Sequence, residues 1–259
     1  MDKIISYVAS FLVILLVLPV HEFAHAFAAV RAGDPTPKLQ GRYTINPIKH
    51  FDLLGLIMLM VAHFGWAKPV PVNPYNFKNL RRDYFWVSIA GILANLIMAI
   101  VFSLLLVVFC VIMQEWLTKA GYYTDLEFMY YGASAVFELA MKTGSLSFFG
   151  YIGFTLLFYV LLYGVIININ LFVFNLIPVF PLDGFRILDC LLKKKGKVFD
   201  FLHRYGNILL IGLIIWGVLC DYVADYMPIF EYLDILGLFL GTVNQFFFDL
   251  LTGLWGLFF

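Results

Sequence analysis

Between Ile4 and Val30 the sequence holds only three acidic, basic or imidazole side chains, and these form a His-Glu-x-x-His motif of His21, Glu22 and His25. The run is long enough to cross a bilayer as a helix. Residues four apart share a helix face, so both imidazoles can reach one metal ion while Glu22 reaches a water molecule beside it. Ionisable groups at bilayer depth cost roughly a few kcal/mol each and persist where they face a partner, a cavity or an ion. The motif therefore favours a buried metal site over a set of side chains satisfied only by neighbouring helices.

The bulk composition places this run in a membrane protein. The chain is 63% hydrophobic and only 13% charged, which leaves too few polar groups to cover a soluble surface. A formal net charge of zero gives no indication of nucleic-acid binding. The three cysteines are far apart and form no C-x-x-C, which argues against a disulfide framework or a thiolate zinc site.

Four further apolar runs follow the first one. They are Tyr84–Met113, Phe148–Val179, Gly206–Cys220 with its flanks, and Ile235–Phe259. The first run and the next three predict four membrane spans. The last run is interrupted by Asn244, Gln245 and Asp249, so both a span and an interfacial helix are open. The pattern predicts an all-α polytopic membrane protein.

Basic residues predict its orientation. Fourteen of the 17 Lys and Arg side chains lie in two connections, residues 31–82 and 186–204. Both connections fall on the same side of the membrane, and this excess of positive charge marks the cytoplasmic side. We therefore expect a multi-pass protein with its N-terminus outside and with His21 and His25 toward the cytoplasmic end of the first span.

An acidic residue follows the third long run on that same side. Pro178 and Pro181 break the helix there, and Asp183 comes directly afterwards, near the expected depth of the histidine pair. A catalytic zinc site takes three protein ligands and keeps one position open. Asp183 is thus predicted as the third ligand, although it could instead cap a short helix that begins near Gly184.

These motifs together resemble the site-2 protease family of intramembrane zinc metalloproteases. The resemblance rests on His21-Glu22-Phe23-Ala24-His25, on Asn46-Pro47, on Phe64-Gly65-Trp66-Ala67-Lys68-Pro69-Val70-Pro71-Val72-Asn73-Pro74, and on Asn175 to Gly184. It implies a three-helix metalloprotease core with additional membrane helices. It also implies one zinc ion per chain, held by His21, His25 and Asp183, with Glu22 as the catalytic base. The expected organisation is a single membrane-embedded peptidase domain over residues 1–259, with its core at about 4–186 and extra helices at about 200–259.

A further motif of the family lies on the second core helix, where a small-residue pattern ends in a polar side chain near the active site. Gly91 and Asn95 match it, whereas Ile92 stands where proline is common in relatives. We expect Asn95 and Asn175 to contact the substrate or the oxyanion, with helix packing as the alternative for Asn95. The Gln114–Ser147 connection is too short for a PDZ domain, so we expect the short form of the family and, from that form, a prokaryotic plasma or inner membrane.

The segment Tyr43–Phe77 predicts a re-entrant or β-hairpin structure after the first helix. Leu53–Val61 is apolar but too short to span, and a stretch rich in proline follows it. An exposed strand edge there could accept the unwound substrate by strand addition. A plain interfacial loop is the alternative.

The predicted function is that of a zinc metalloendopeptidase that cleaves peptide bonds within or near transmembrane segments of membrane proteins, as in regulated intramembrane proteolysis. Its expected partners are such a substrate and the lipid bilayer, and a homo-oligomer is left open. One alternative is a membrane protein that binds, transports or senses zinc without proteolysis. Another is a prenyl-endopeptidase type of zinc protease, which usually takes its third ligand from a glutamate, and none occurs between Glu138 and Glu231.

Overall fold

The computed structural model describes residues 1–52, 55, 67–122, 126–224 and 226–258. The α-helices are α1 (Asp2–Ala32), α2 (Thr36–Leu39), α3 (Pro47–His50), α4 (Leu80–Lys119), α5 (Leu126–Lys142), α6 (Phe148–Leu176), α7 (Asp183–Leu191), α8 (Lys197–Ala224) and α9 (Ile235–Trp255). Short 3₁₀ helices lie at Pro74–Asn76 and Pro228–Leu233. Within the described residues, the five helices α1, α4, α6, α8 and α9 are long and apolar enough to cross a membrane. The prediction of an all-α polytopic membrane protein is confirmed, and the last apolar run, left open from sequence, forms a helix of spanning length.

Prolines determine where the third of these helices stops. The helix α6 ends at Leu176, two residues before Pro178, because proline lacks a backbone N–H and disfavours helical geometry in the residue before it. The chain then turns and restarts as α7 at Asp183. A Cβ atom at Gly184 would lie 2.6 Å from the Ile177 carbonyl oxygen, so this turn closes only around a glycine. The turn brings Asp183 to the N-terminus of a new helix.

The chain divides into two compact units. The first consists of residues 1–17, 97–169 and 246–259. Polar side chains join its helices: the hydroxyls of Ser6 and Tyr163 are 2.6 Å apart, and the indole N–H of Trp255 donates to Ser103 Oγ at 2.9 Å. These contacts pair polar groups that lie on otherwise apolar helices, and one of them attaches the end of α9 to α4.

The second unit consists of residues 18–96 and 170–245 and contains all the predicted metal ligands. Within it, the Asn244 side-chain amide donates to Asn170 Oδ1 at 2.9 Å, which links α9 to α6. Asn244, which interrupts the last apolar run of the sequence, thus forms a hydrogen bond with another helix. The single peptidase domain over residues 1–259 stays a prediction.

The connection between α1 and α4 folds back on itself. Phe51 and Ala67 form an isolated antiparallel bridge, and the Lys68 amide donates to the His50 carbonyl at 2.7 Å. The Leu53–Val61 stretch predicted to be re-entrant lies largely outside the described residues. Further along the chain, the described part of the Gln114–Ser147 connection is mainly the helix α5.

Candidate metal and active site

The structure brings His21, His25 and Asp183 together in the second unit. Their ligand atoms all lie within 4.8 Å of one another. The two Nε2 atoms are 3.1 Å apart, and Asp183 Oδ2 lies 3.0 Å from His25 Nε2 and 3.4 Å from His21 Nε2. All three residues are buried, with exposed fractions of 5–6%. Two histidines four apart on α1 and a carboxylate on α7 thus converge on one point, as helical spacing requires.

Contacts outside the cluster orient its ligand atoms. His25 Nδ1 lies 2.7 Å from the Val87 carbonyl oxygen of α4. Because a carbonyl can only accept, Nδ1 carries a proton, and Nε2 is the ring nitrogen that faces His21 and Asp183. A ligating histidine usually donates its other ring N–H in this way, which fixes both tautomer and ring orientation.

Asp183 uses its two carboxylate oxygens for different partners. Oδ2 faces the imidazoles, whereas Oδ1 lies 3.4 Å from Arg186 Nη1, one turn further along α7. The residue preceding α7 is Leu182, and within the described ranges no side chain caps this helix, so the capping role considered for Asp183 is not the one it adopts. Burial opposes ionisation, but the neighbouring His25 and His21 outweigh it and hold the pKa of Asp183 well below its usual range. The carboxylate is therefore charged.

A glycine of α4 leaves room for the cluster. A Cβ atom at Gly91 would lie 2.6 Å from His21 Cε1 and 2.8 Å from His21 Nε2, and would also collide with His25 Nε2. Any larger residue would fill the space into which the ligand atoms point. Two imidazole nitrogens and one carboxylate oxygen form a donor set that zinc binds, with a further position left for water or substrate. The residues present therefore fit a catalytic zinc ion.

The cluster opens into a cavity of about 240 Å³. Its lining includes the three ligands, Glu22, Asn175, Tyr84, Ser88 and Arg186. Glu22 Oε2 accepts a hydrogen bond from the backbone amide of Val70 at 2.8 Å. The predicted base therefore lies in the same cavity as the predicted ligands, and the connection after α1 reaches it.

The two asparagines named from sequence occupy different environments. Asn175 lines the cavity and donates its side-chain N–H to the Leu171 carbonyl of its own helix at 2.9 Å. Asn95 is completely buried, and neither atom of its amide has a hydrogen-bond partner among the described residues. A buried amide without partners is uncommon in a folded protein and calls for a ligand or a water molecule. The contact of either asparagine with substrate stays a prediction.

Sequence reasoning missed two functional candidates, Arg186 and the Val70 amide. Arg186 could have been found from its spacing, since it lies three positions after Asp183 on one helix. Val70 carries no chemistry in its side chain, and its role depends on a backbone contact with a residue 48 positions away.

The family comparison agrees with this geometry. Residues 9–215 match the model of peptidase family M50, which contains the site-2 proteases. The chain belongs to peptidase family M50. The match covers the metal cluster, Glu22, all of α4 and α6, and most of α1 and α8. The resemblance inferred from the motifs is confirmed.

Bacterial proteins named as zinc metalloproteases are similar to this chain in sequence. A Bacillus subtilis protein named "Putative zinc metalloprotease YwhC" is 39% identical over 222 residues, which is 83% of this chain and 86% of the relative. Two proteins named "Putative zinc metalloprotease Rip2" match shorter parts. The Mycolicibacterium smegmatis protein is 36% identical over 37% of this chain and 40% of its own, and the Mycobacterium tuberculosis protein is 37% identical over 33% and 34%. No solved structure matches the chain significantly.

Proposed function

We propose that this chain is an intramembrane zinc metalloprotease that hydrolyses peptide bonds within or near transmembrane segments of membrane proteins. The observation that carries the proposal is the convergence of His21, His25 and Asp183 on one buried point, with Glu22 in the same cavity. Membership of a peptidase family and the zinc metalloprotease names of YwhC and Rip2 support it.

Each group in the cavity has a separate role in this proposal. His21, His25 and Asp183 would hold one zinc ion per chain. When bound, zinc supplies a Lewis acid that polarises the scissile carbonyl and makes a water molecule acidic enough to lose a proton near neutral pH. The Val87 carbonyl accepts from His25 Nδ1 and so holds the ring with Nε2 toward the cluster, and Asp183 presents Oδ2 to both imidazoles.

Glu22 is the proposed general base and acid. It takes a proton from the attacking water and returns it to the amine that leaves when the peptide bond breaks. Its Oε2 atom is engaged by the Val70 amide, which leaves Oε1 for the proton. Asn95 and Asn175 are proposed to contact the substrate or the developing oxyanion, for which donors fixed in advance give the strongest stabilisation.

The membrane setting defines the proposed substrate. The metal cluster is formed by side chains of α1 and α7 and lies against α4. We propose that it acts on a substrate segment that enters within the bilayer, as in regulated intramembrane proteolysis. The positive charge of the two basic connections supports an active site toward the cytoplasmic side of the plasma or inner membrane. Whether the protein works as a homo-oligomer is left to measurement.

The test compares purified wild type with Glu22→Gln for zinc content and for cleavage of a set of transmembrane peptides. The wild type is expected to hold about one zinc ion per chain and to cut, while Glu22→Gln keeps zinc and loses about 10²- to 10⁴-fold in rate. Glu138→Gln is the matched control, because it makes the same change in a partly exposed pair with Lys142. A wild type that holds zinc but cuts nothing would favour zinc binding, transport or sensing. A Glu22→Gln variant that cuts as fast as the wild type would refute the assignment of the base.

A further inference from the structure

The backbone amide of Val70 donates a hydrogen bond to Glu22. The side chain of Val70 takes no part in this contact. The N–H donates to Glu22 Oε2 at 2.8 Å, across 48 positions of sequence. Val70 stands between Pro69 and Pro71, and proline has no backbone N–H. Of these three consecutive residues, Val70 alone can donate a main-chain hydrogen bond.

We propose that the Val70 amide is a positioning group for the general base. This inference rests on the proposed function and adds to it the group that orients Glu22. A hydrogen bond to Oε2 restricts the rotation of the carboxylate and keeps Oε1 directed toward the water from which a proton is removed. The rate of proton transfer depends on such alignment, since a displacement of about 1 Å in an active site can cost on the order of 100-fold in rate.

The donor is itself held at both ends. Two residues before it, the Lys68 amide donates to the His50 carbonyl at 2.7 Å. Three residues after it, the Asn73 amide donates to Asp34 Oδ2 at 2.7 Å, and Asp34 is completely buried. A backbone group anchored on both sides can orient a side chain without having to become ordered itself.

The alternation of prolines determines which way the amide points. Lys68 and Val70 each precede a proline and are therefore biased toward extended backbone. In an extended chain, amides two residues apart point to the same side, so Lys68 and Val70 both donate inward, to His50 and to Glu22. No amide among residues 68–71 is left to pair with a substrate strand. The contact therefore serves Glu22 itself, and strand addition on this stretch would have to use its carbonyls alone.

The experiment removes one hydrogen and keeps the side chain. Val70 is replaced by its α-hydroxy acid, which converts the amide into an ester, and Val70→Ala, which keeps the N–H, is the conservative comparison. All forms are measured for zinc content and for the kcat and KM of transmembrane peptide cleavage. We expect the ester form to lose about 10- to 100-fold in kcat, with KM and zinc content within twofold of wild type. Val70→Ala keeps the N–H and should therefore have a higher kcat than the ester form.

Other results would overturn the inference. A kcat of the ester form within twofold of wild type would show that the amide does not position Glu22, and a higher kcat would show that it restrains the enzyme. Loss of zinc or of substrate affinity in the ester form would assign the contact to structure. Wild type and Glu22→Gln are measured in parallel, so that a wild type that never cuts refutes the proposed function as well. In the Glu22→Gln background, the ester should cause no further loss, because the group that it positions is gone.

Discussion

Replacement of Gly91 by alanine tests the metal site through one methyl group. The added Cβ would lie 2.6 Å from His21 Cε1 and 2.8 Å from His21 Nε2. Carbon atoms in contact ordinarily lie about 3.5–4.0 Å apart, so the imidazole has to move by about 1 Å. A zinc–nitrogen bond of about 2.0–2.1 Å tolerates a change of about 0.2 Å. The His21 ring in Gly91→Ala can therefore no longer complete the donor set.

We expect Gly91→Ala to fold but to hold far less than one zinc ion per chain, because the change is small and lies on a helix that alanine favours. Its kcat/KM should fall by at least about 100-fold. The assay is metal analysis after dialysis against a weak chelator, with peptide cleavage measured on the same sample. Gly212→Ala on α8 is the control, since no atom in the described part of the chain lies within 4 Å of the added Cβ.

A Gly91→Ala protein that binds one zinc ion with an affinity within threefold of wild type would refute this reasoning. It would mean that the imidazoles point elsewhere in the active protein, or that α4 does not approach them so closely. If both glycine variants lost zinc equally, the effect would belong to helix stability in general, and the geometry assigned to Gly91 would be wrong.

Two further changes test the groups that support the site. Asp34 accepts hydrogen bonds from Thr36, Asn73 and Asn76, and although burial opposes its charge, these bonds hold its pKa below the ordinary value of 3.8. The ionised Asp34 stabilises the folded protein fully above pH 3.8, and this stabilisation is lost as pH falls through the lower pKa of the folded state. Asp34→Asn should therefore lower the free energy of unfolding by about 1.5–3 kcal/mol near neutral pH. It should also reduce the dependence of the thermal unfolding temperature in detergent on acid pH. An Asp34→Asn variant whose unfolding temperature falls with acid pH as steeply as that of the wild type would contradict this prediction. Arg186→Gln removes the cation beside Asp183 Oδ1 and should weaken zinc binding about 10- to 100-fold, measured by competition with a chelator. Arg186→Lys should recover part of the affinity. An unchanged zinc affinity in Arg186→Gln would show that the ion pair has no influence on the metal.

Much of the site could be predicted from local sequence because helical periodicity is a short-range rule. The spacing of His21 and His25 fixes a shared face on any helix, and an apolar run fixes the helix. Charge counts along the chain then predicted which connections share a side of the membrane, and this placed Asp183 near the histidines although 158 positions separate Asp183 from His25. The structure shows all three side chains at one point.

What sequence alone determined is therefore the chemistry of the residues and the elements that carry them: an all-α membrane chain, a His-Glu-x-x-His face and a helix broken by Pro178 before Asp183. Only the tertiary structure decided which backbone groups surround them. The Val87 carbonyl on His25 and the Val70 amide on Glu22 come from groups that every residue possesses, so no side-chain pattern marks them. Likewise, the sequence predicts only a packing role for Gly91. The structure shows that the space left by its missing Cβ is occupied by the imidazoles of His21 and His25. The sequence specifies the chemistry of each side chain, whereas the position of a main-chain donor depends on how the whole chain folds.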